Sequence, residues 1–259
     1  MSTIPLSPTD LATAATLLIV VGLVSVALQL GLGKRLLLAA VRTVVQLTLV
    51  GMVLEWVFAR ERWWLVSALF ASMLLNAGLS AVQRTERRFR GIWLTGILSV
   101  SVSGIVATFV VTEAVIGVDP WYAPRYTIPL LGMVLGNALT GISLCLDRAM
   151  SDLKGRRGEV EGMLVLGATI WEATRPVVAG AVRAGMIPIL NSMSVVGIVS
   201  LPGMMTGQIL AGARPIDAVK YQIVVMFMIA GATAIGTVLA GVLAFHHLTT
   251  AKHQLRPLP

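Results

Sequence analysis

Seven apolar runs, each close to the length of about 20 residues that a helix needs to cross the hydrocarbon of a bilayer, punctuate this chain. They constrain the fold more than any motif does. A backbone in lipid must satisfy each N–H and C=O inside the protein, which leaves helices as the default solution. The runs extend from about Leu11 to Leu32, with Asp10 as the expected N-cap, then Leu36 to Phe58, Trp63 to Val82, Gly91 to Ile116 and Thr127 to Leu146. A charged stretch from Asp147 to Arg183 interrupts them. The sixth begins near Met186 and is broken by Pro202 and the glycines after it, and the seventh covers about Ala218 to Phe245. The expected fold is therefore all-α: a polytopic helical membrane protein of about seven spans, with residues 1–259 forming one domain.

Composition agrees, with 56% hydrophobic and 12% charged residues and a mean hydropathy of +0.86. Charge is scarce because an ionisable group at the bilayer centre costs about 2.5–3.5 kcal/mol. The net charge of +8 does not indicate nucleic acid, since the basic residues cluster between apolar runs. Lys34 and Arg35, then Arg84, Arg87, Arg88 and Arg90, then Lys154, Arg156 and Arg157, then Lys252 and Arg256 all fall on one side if seven spans are counted. By the positive-inside rule that side is cytoplasmic, with the N-terminus outside and the C-terminus inside. The first ten residues lack the basic stretch of a cleavable leader, so the first run is expected to remain as a span of the cell's inner membrane. Cys145, the single cysteine, excludes a disulfide framework or a thiolate cage. Neither a His-Glu-x-x-His pair nor a phosphate-binding Gly-x-x-x-x-Gly-Lys-Ser/Thr loop occurs. The chain is thus read as a non-enzyme that binds no ATP of its own.

The charged island Glu159-Val-Glu161-Gly-Met-Leu-Val-Leu-Gly167-Ala168-Thr-Ile-Trp171-Glu172 is amphipathic. Val160, Met163, Leu164, Gly167, Ile170 and Trp171 recur at helical spacing, while the three glutamates lie largely off that face. Glu161 precedes Gly167 by six positions, and Leu166-Gly167-Ala168 follows. The segment resembles the EAA loop of ABC-transporter permeases, which sits in a cleft of the ATPase subunit. That resemblance assigns Glu161, Leu166, Gly167, Ala168 and Trp171 to coupling, within a cytoplasmic segment at about 147–183. The alternative reading of these residues is a surface helix between spans.

Polar residues inside the runs are the other candidates. Arg42 and Gln46 stand one helical turn apart on one face of the second run, so they either line a route or Arg42 snorkels to the interface. Glu55, near the other end, is either an exit-side charge or an interfacial one. Asn76 and Asn137 sit among small residues, which suits bonding across close helix contacts; a hydrated pore would use the same amide oxygens for a cation. The stretch Pro188 to Gln208 holds Asn191, Ser194, Ser200 and Pro202, and its broken backbone at membrane depth points to a cavity. Met193, Met204 and Met205 offer thioethers to a soft cation, or simply pack. His246, His247 and His253 are read as a basic helix end in preference to a chelate.

Over Ala40 to about Ala230 the sequence resembles the FetB-type permeases, a family of ABC-transporter membrane subunits implicated in iron export. The resemblance rests on Val41-Arg42-Thr-Val-Val-Gln46-Leu, Pro129-Leu-Leu-Gly-Met-Val-Leu-Gly136-Asn137-Ala138 and Leu166-Gly167-Ala168-Thr169. It rests above all on Val199-Ser200-Leu201-Pro202-Gly203-Met204-Met205-Thr206-Gly207, followed by Lys220-Tyr221-Gln222-Ile223. One departure is Asn191 with Met193, where the resemblance leads us to expect charged residues. The family implies a permease that pairs with a separate ABC ATPase, which holds the ATP and Mg, works as a homodimer, and exports iron or another metal. The alternatives are an ABC permease for a different small solute and an ATPase-independent secondary carrier.

Overall fold

A computed structural model of the chain describes residues 7–85, 88–250 and 254–256. Arg87, Lys252 and His253, named above, lie outside the described residues. The chain divides into two compact units, one of residues 1–61 with 210–212 and the other of 62–209 with 213–259.

The first unit contains α1 (Pro8–Ala27) and α2 (Gly33–Arg60). Ser7, not Asp10, caps α1: its hydroxyl accepts from the Asp10 N–H, and the Asp10 carboxylate accepts from the Ser7 N–H at 2.8 Å. Asp10 thus occupies the third helical position of a capping box, where its charge also faces the helix dipole. Both helices are apolar with most side chains exposed, and they line an open groove of about 700 Å³ through Leu11, Leu18, Leu36 and Val44.

The second unit is a bundle of α3 (Trp63–Gln83), α4 (Ile92–Phe109), α5 (Pro124–Gly155), α7 (Ile170–Val195) and α9 (Pro215–Leu248), with short helices α6 (Arg157–Val165) and α8 (Gly203–Leu210). A π-helical turn over Val110–Ile116 extends α4. Helices in lipid gain little from burying apolar area against each other, so close backbone approach takes over. At the α5–α7 crossing a Cβ on Gly141 would stand 2.7 Å from the Gly185 carbonyl oxygen, and one on Gly185 2.5 Å from that of Gly141. Only glycine allows that contact. Leu131, Ile142, Leu146 and Met150 of α5 are fully buried and make it the central helix.

Two expected boundaries move. The fifth run continues as helix to Gly155, and the sixth span starts at Ile170, sixteen positions before Met186. The charged stretch is therefore mostly helical. Arg175 and Arg183 lie on the exposed side of α7, while Ala173, Thr174, Val177, Ala181, Gly185 and Ile189 form an unbroken buried stripe through them. Long basic side chains can reach polar surroundings from such positions without ending the helix. Pro129, Pro176 and Pro188 likewise sit inside helices. The break falls at Gly197, with φ +83°, and not at Pro202, which directly precedes α8.

Candidate functional site

Two places in the bundle collect the candidate residues, one at each end of α7. The first is the turn between α6 and α7. Thr169 caps α7, its hydroxyl accepting from the Glu172 N–H while the Glu172 carboxylate accepts from the Thr169 N–H at 2.8 Å. Gly167 closes α6 with φ +92°, a left-handed conformation that penalises any side chain. Its N–H donates to Leu164 O, and that of Ala168 to Met163 O.

This turn corrects the reading of one continuous apolar docking face. Val160 is buried and Met163 and Leu164 pack on the bundle core, so that face is turned inward. The exposed apolar side chains are Val165, 87% exposed, and Leu166, 89% exposed, projected by the turn. Trp171 is half-covered and stands edge-on to Phe245, ring centroids 5.1 Å apart. Around the tip, Arg157 bridges Glu161 at 2.7 Å and Arg156 bridges Glu159 at 2.6 Å. The hydrogen bond from Arg156 holds the Glu159 carboxyl below its usual pKa.

The tip shares its end of the bundle with other basic segments. Phe89, from the α3–α4 loop, enters the same core cluster as Leu153, Val160 and Leu248 and lies 6.1 Å from the His247 ring. Arg84, Arg88, Arg90, Lys154, Arg156 and Arg157 therefore gather at one end, with His246 and His247 in the last turn of α9.

The second place is an open-sided cavity of about 310 Å³ lined by α5, α7, α9, the start of α8 and the α7–α8 connection. From Ile170 to Ser192 the two sites are about 33 Å apart along α7 at 1.5 Å per residue. The cavity brings together Asn137, Ser200, Pro202 and Met204. It does not bring in Asn76, Asn191, Ser194 or Met205. Met193 packs with Met204 on the neighbouring apolar cluster of Ile189, Val225 and Met228. Arg42 and Gln46 are exposed on α2. Asn76 Nδ2 donates to Ser72 O at 2.8 Å, and Ser194 Oγ to Leu190 O at 2.9 Å, each within its own helix.

Residue-by-residue reading misses the buried polar member of the cavity, as it does Met133, Ser192 and Met226. Gln222 of α9 is 6% exposed and lines it, with Oε1 buried and without a hydrogen-bond partner among the described residues. An unsatisfied buried acceptor costs about 1–3 kcal/mol, so its place needs an explanation. A single glutamine in an apolar helix carries no periodic signal, although Gln222 does fall within one of the motifs that carry the family resemblance. No group of three or more His, Cys, Asp or Glu side chains suited to a metal is present among the described residues. A second cavity, about 300 Å³ between Phe70, Leu74, Trp121 and Tyr122, is largely apolar.

Among the described residues, seven helices long and apolar enough to cross a bilayer define an integral membrane protein. Its sequence matches the model of the Uncharacterised protein family UPF0014 over residues 8–249, and the chain belongs to that family. It is 39% identical over 209 residues to a UPF0014 membrane protein of Synechocystis, covering 81% of each chain. It is also 34% identical to the Arabidopsis thaliana protein ALUMINUM SENSITIVE 3, over 95% of this chain and 88% of the relative. The third relative is the Escherichia coli "Probable iron export permease protein FetB", 31% identical over 95% of this chain and 93% of the relative. No solved structure matches.

Proposed function

We propose that this chain is the membrane subunit of an ATP-driven exporter for a metal cation, with iron as the first candidate. The observation that carries the reading is the α6–α7 turn. An apolar pair held out by a left-handed glycine and ringed by charged residues suits insertion into a cleft of a water-soluble partner. The partner is an ABC ATPase that binds the ATP and Mg, and Leu166, Gly167 and Ala168 form the plug, with Glu161 and Trp171 holding its flanks. The basic end is cytoplasmic by the positive-inside rule, which puts the tip where ATP is and the N-terminus outside in the inner membrane.

Motion of the tip reaches the cavity through α7, a continuous helix whose two internal prolines each remove a backbone hydrogen bond and allow bending. Rocking of α7 against α5 would open the cavity alternately to each side. Arg42 and Gln46, costly against lipid, suit contact with a second copy of the chain or a wet cavity at that contact. Metal as cargo is supported by two relatives, one whose name refers to iron export and another whose name refers to aluminium.

The test is transport by the chain with its ATPase in inverted vesicles. Gly167→Asp and Leu166→Asp are each expected to lower ATP-driven iron uptake by about tenfold or more, in line with losing a hot spot of about 2 kcal/mol, while the helical content stays intact. Normal uptake by both variants would sink the docking assignment. Cells lacking the protein should also accumulate iron.

A further inference from the structure

Resting on the cavity as the route, we propose that the α7–α8 connection and α8 seat a second copy of this chain, which closes the open side of the cavity inside the membrane. The first observation is depth. Helices α5, α7 and α9 meet at one level, where a Cβ added to Gly185 would stand 2.5 Å from Gly141 O and 2.7 Å from Thr237 Cγ2. From that level α7 runs ten residues to its end at Val195, while α5 runs seventeen back to Pro124 and α9 twenty-two back to Pro215. At 1.5 Å per residue α7 therefore stops about 10 Å short of one neighbour and about 18 Å short of the other. The chain turns where its neighbours are still helical, and Val196, Ser200 and Pro202 share the cavity lining with Asn137 and Gln222.

Irregular backbone at such depth is tolerated only where protein or a water-filled cavity covers it. Within the turn, Gly197 N–H donates to Ser200 O, and those of Ile198, Val199 and Ser200 all donate to Val195 O. The carbonyls of Gly197, Ile198, Val199 and Leu201 accept no hydrogen bond among the described residues, and all four residues are exposed. Asn191, exposed near the end of α7, has an amide that likewise makes none. The glycines tell the same story. A Cβ added to Gly141, Gly185 or Gly236 in the bundle would meet a neighbour within 3 Å, whereas on Gly197, Gly203 or Gly207 it would meet nothing within 4 Å. Gly203 and Gly207 lie one turn apart on α8, a helix with no buried residue, and small residues at that spacing admit the close approach of another helix.

A second copy suits this surface better than lipid tails, which offer the carbonyls no donor. In a two-fold contact a residue on one copy meets a different residue on the other and the pairing repeats, so Asn191 of each copy can donate to the turn of its partner. The same symmetry sets a patch's charges close to their own counterparts. Here there are none to oppose, since no charged residue occurs between Arg183 and Arg214. Asn137, Ser192, Ser200 and Gly203 line the cavity and are also exposed, so its open side runs along this hairpin. The second copy supplies the missing wall.

The test needs neither ATPase nor metal. A benzophenone amino acid is placed at Ile198 of the full chain in nanodiscs and irradiated, and the products are weighed by mass spectrometry. We expect a covalent dimer. A lipid adduct, or a bond within one chain to α1 or α2, would overturn the proposal. In parallel, Gly203→Leu and Gly207→Leu fill space that is empty within the chain, so each should keep the wild-type helical content yet weaken self-association in detergent by about tenfold or more. Asn191→Leu, which removes the donors, should weaken it by a smaller factor. Unchanged association in all three variants, or a monomeric wild type, would overturn the interface, and the crosslink at Ile198 decides the matter if a variant fails to fold. Loss of the dimer with iron uptake unchanged in vesicles would overturn the closing of the cavity. A wild type that crosslinks as expected but moves no iron would support the interface and remove the exporter reading.

Discussion

The two ends of α7 both carry exposed apolar tips, yet the tips are set in different surroundings. At one end Val165 and Leu166 are 87% and 89% exposed, and at the other Ile198 and Val199 are 87% and 80% exposed. The first pair is flanked by Arg156, Arg157, Glu159, Glu161 and Glu172. Between Arg183 and Arg214 the second has no charged residue at all. Charge is tolerated where water or a hydrophilic partner lies close and is excluded where lipid lies close. An exposed leucine in the first setting needs a protein to cover it; an exposed isoleucine in the second is at home in the bilayer or against another span. Exposure in the isolated chain has the same value in both places and a different meaning.

The largest effect should come from the crossing that ties the two ends together. Gly185 faces the Gly141 carbonyl and also Thr237 and Cys145, so Gly185→Val has no room to relax. Overpacking of this kind costs about 1–3 kcal/mol, and here the obstructing atom is backbone, which places it at the upper end. Yield of folded protein and melting temperature in detergent should both fall. If the variant folds and melts like wild type, α5 and α7 do not cross as described, and the two tips cannot be treated as ends of one lever.

A direct comparison of the tips comes next. Ile198→Asp places a carboxylate in the uncharged loop and should cost about 1–3 kcal/mol of membrane-domain stability, less than at the bilayer centre because the loop caps a span. Leu166→Asp, at a surface site flanked by charges, should change melting by less than about 0.5 kcal/mol. Thermal unfolding of the two variants in nanodiscs decides between them. Equal effects would mean that both tips share one environment, and the argument from flanking charge would fail.

The sequence makes the span count legible because hydropathy is local, although the sixth span, Ile170–Val195, overlaps the run read from Met186 onward only at its C-terminal end. The left-handed turn at Gly167 escapes that reading, because helical spacing carries Val160 to Trp171 into one face across it, whereas the chain breaks there ahead of the capping Thr169 and Glu172. What stays hidden depends on partners distant in sequence. Arg175 and Arg183 look like loop residues until α5 and α9 cover the opposite face of their helix. The Gly141–Gly185 crossing joins positions 44 apart, which no window contains. Gln222 and Met133 become neighbours of one space only when α9 packs on α5. Pattern reading recovers elements, while the cavity is a property of their arrangement.

The smallest effect should come from the ion pairs that brace the coupling tip. Arg156 donates two hydrogen bonds to Glu159, at 2.7 and 2.6 Å, and thereby lowers that carboxyl below its ordinary value of 4.5. A carboxyl whose folded pKa is depressed contributes stability that is fully present above its unfolded value and is lost as pH falls through the folded one. The contribution is therefore intact at pH 7 and fades in a window below about 4.5. Both side chains are solvent-exposed and the pair is screened, so its worth to the whole domain is small. Arg156→Ala should lower melting slightly at pH 7 in low salt, and the difference from wild type should vanish at high salt or well below pH 4.5. At the uncharged tip no such pair exists, so Ile198→Ala should show no comparable salt or acid dependence. A deficit in Arg156→Ala that persists at both high salt and low pH would mean that the guanidinium packs α6 onto the bundle instead of pairing with Glu159, and that the charges around the coupling tip are structural before they are electrostatic.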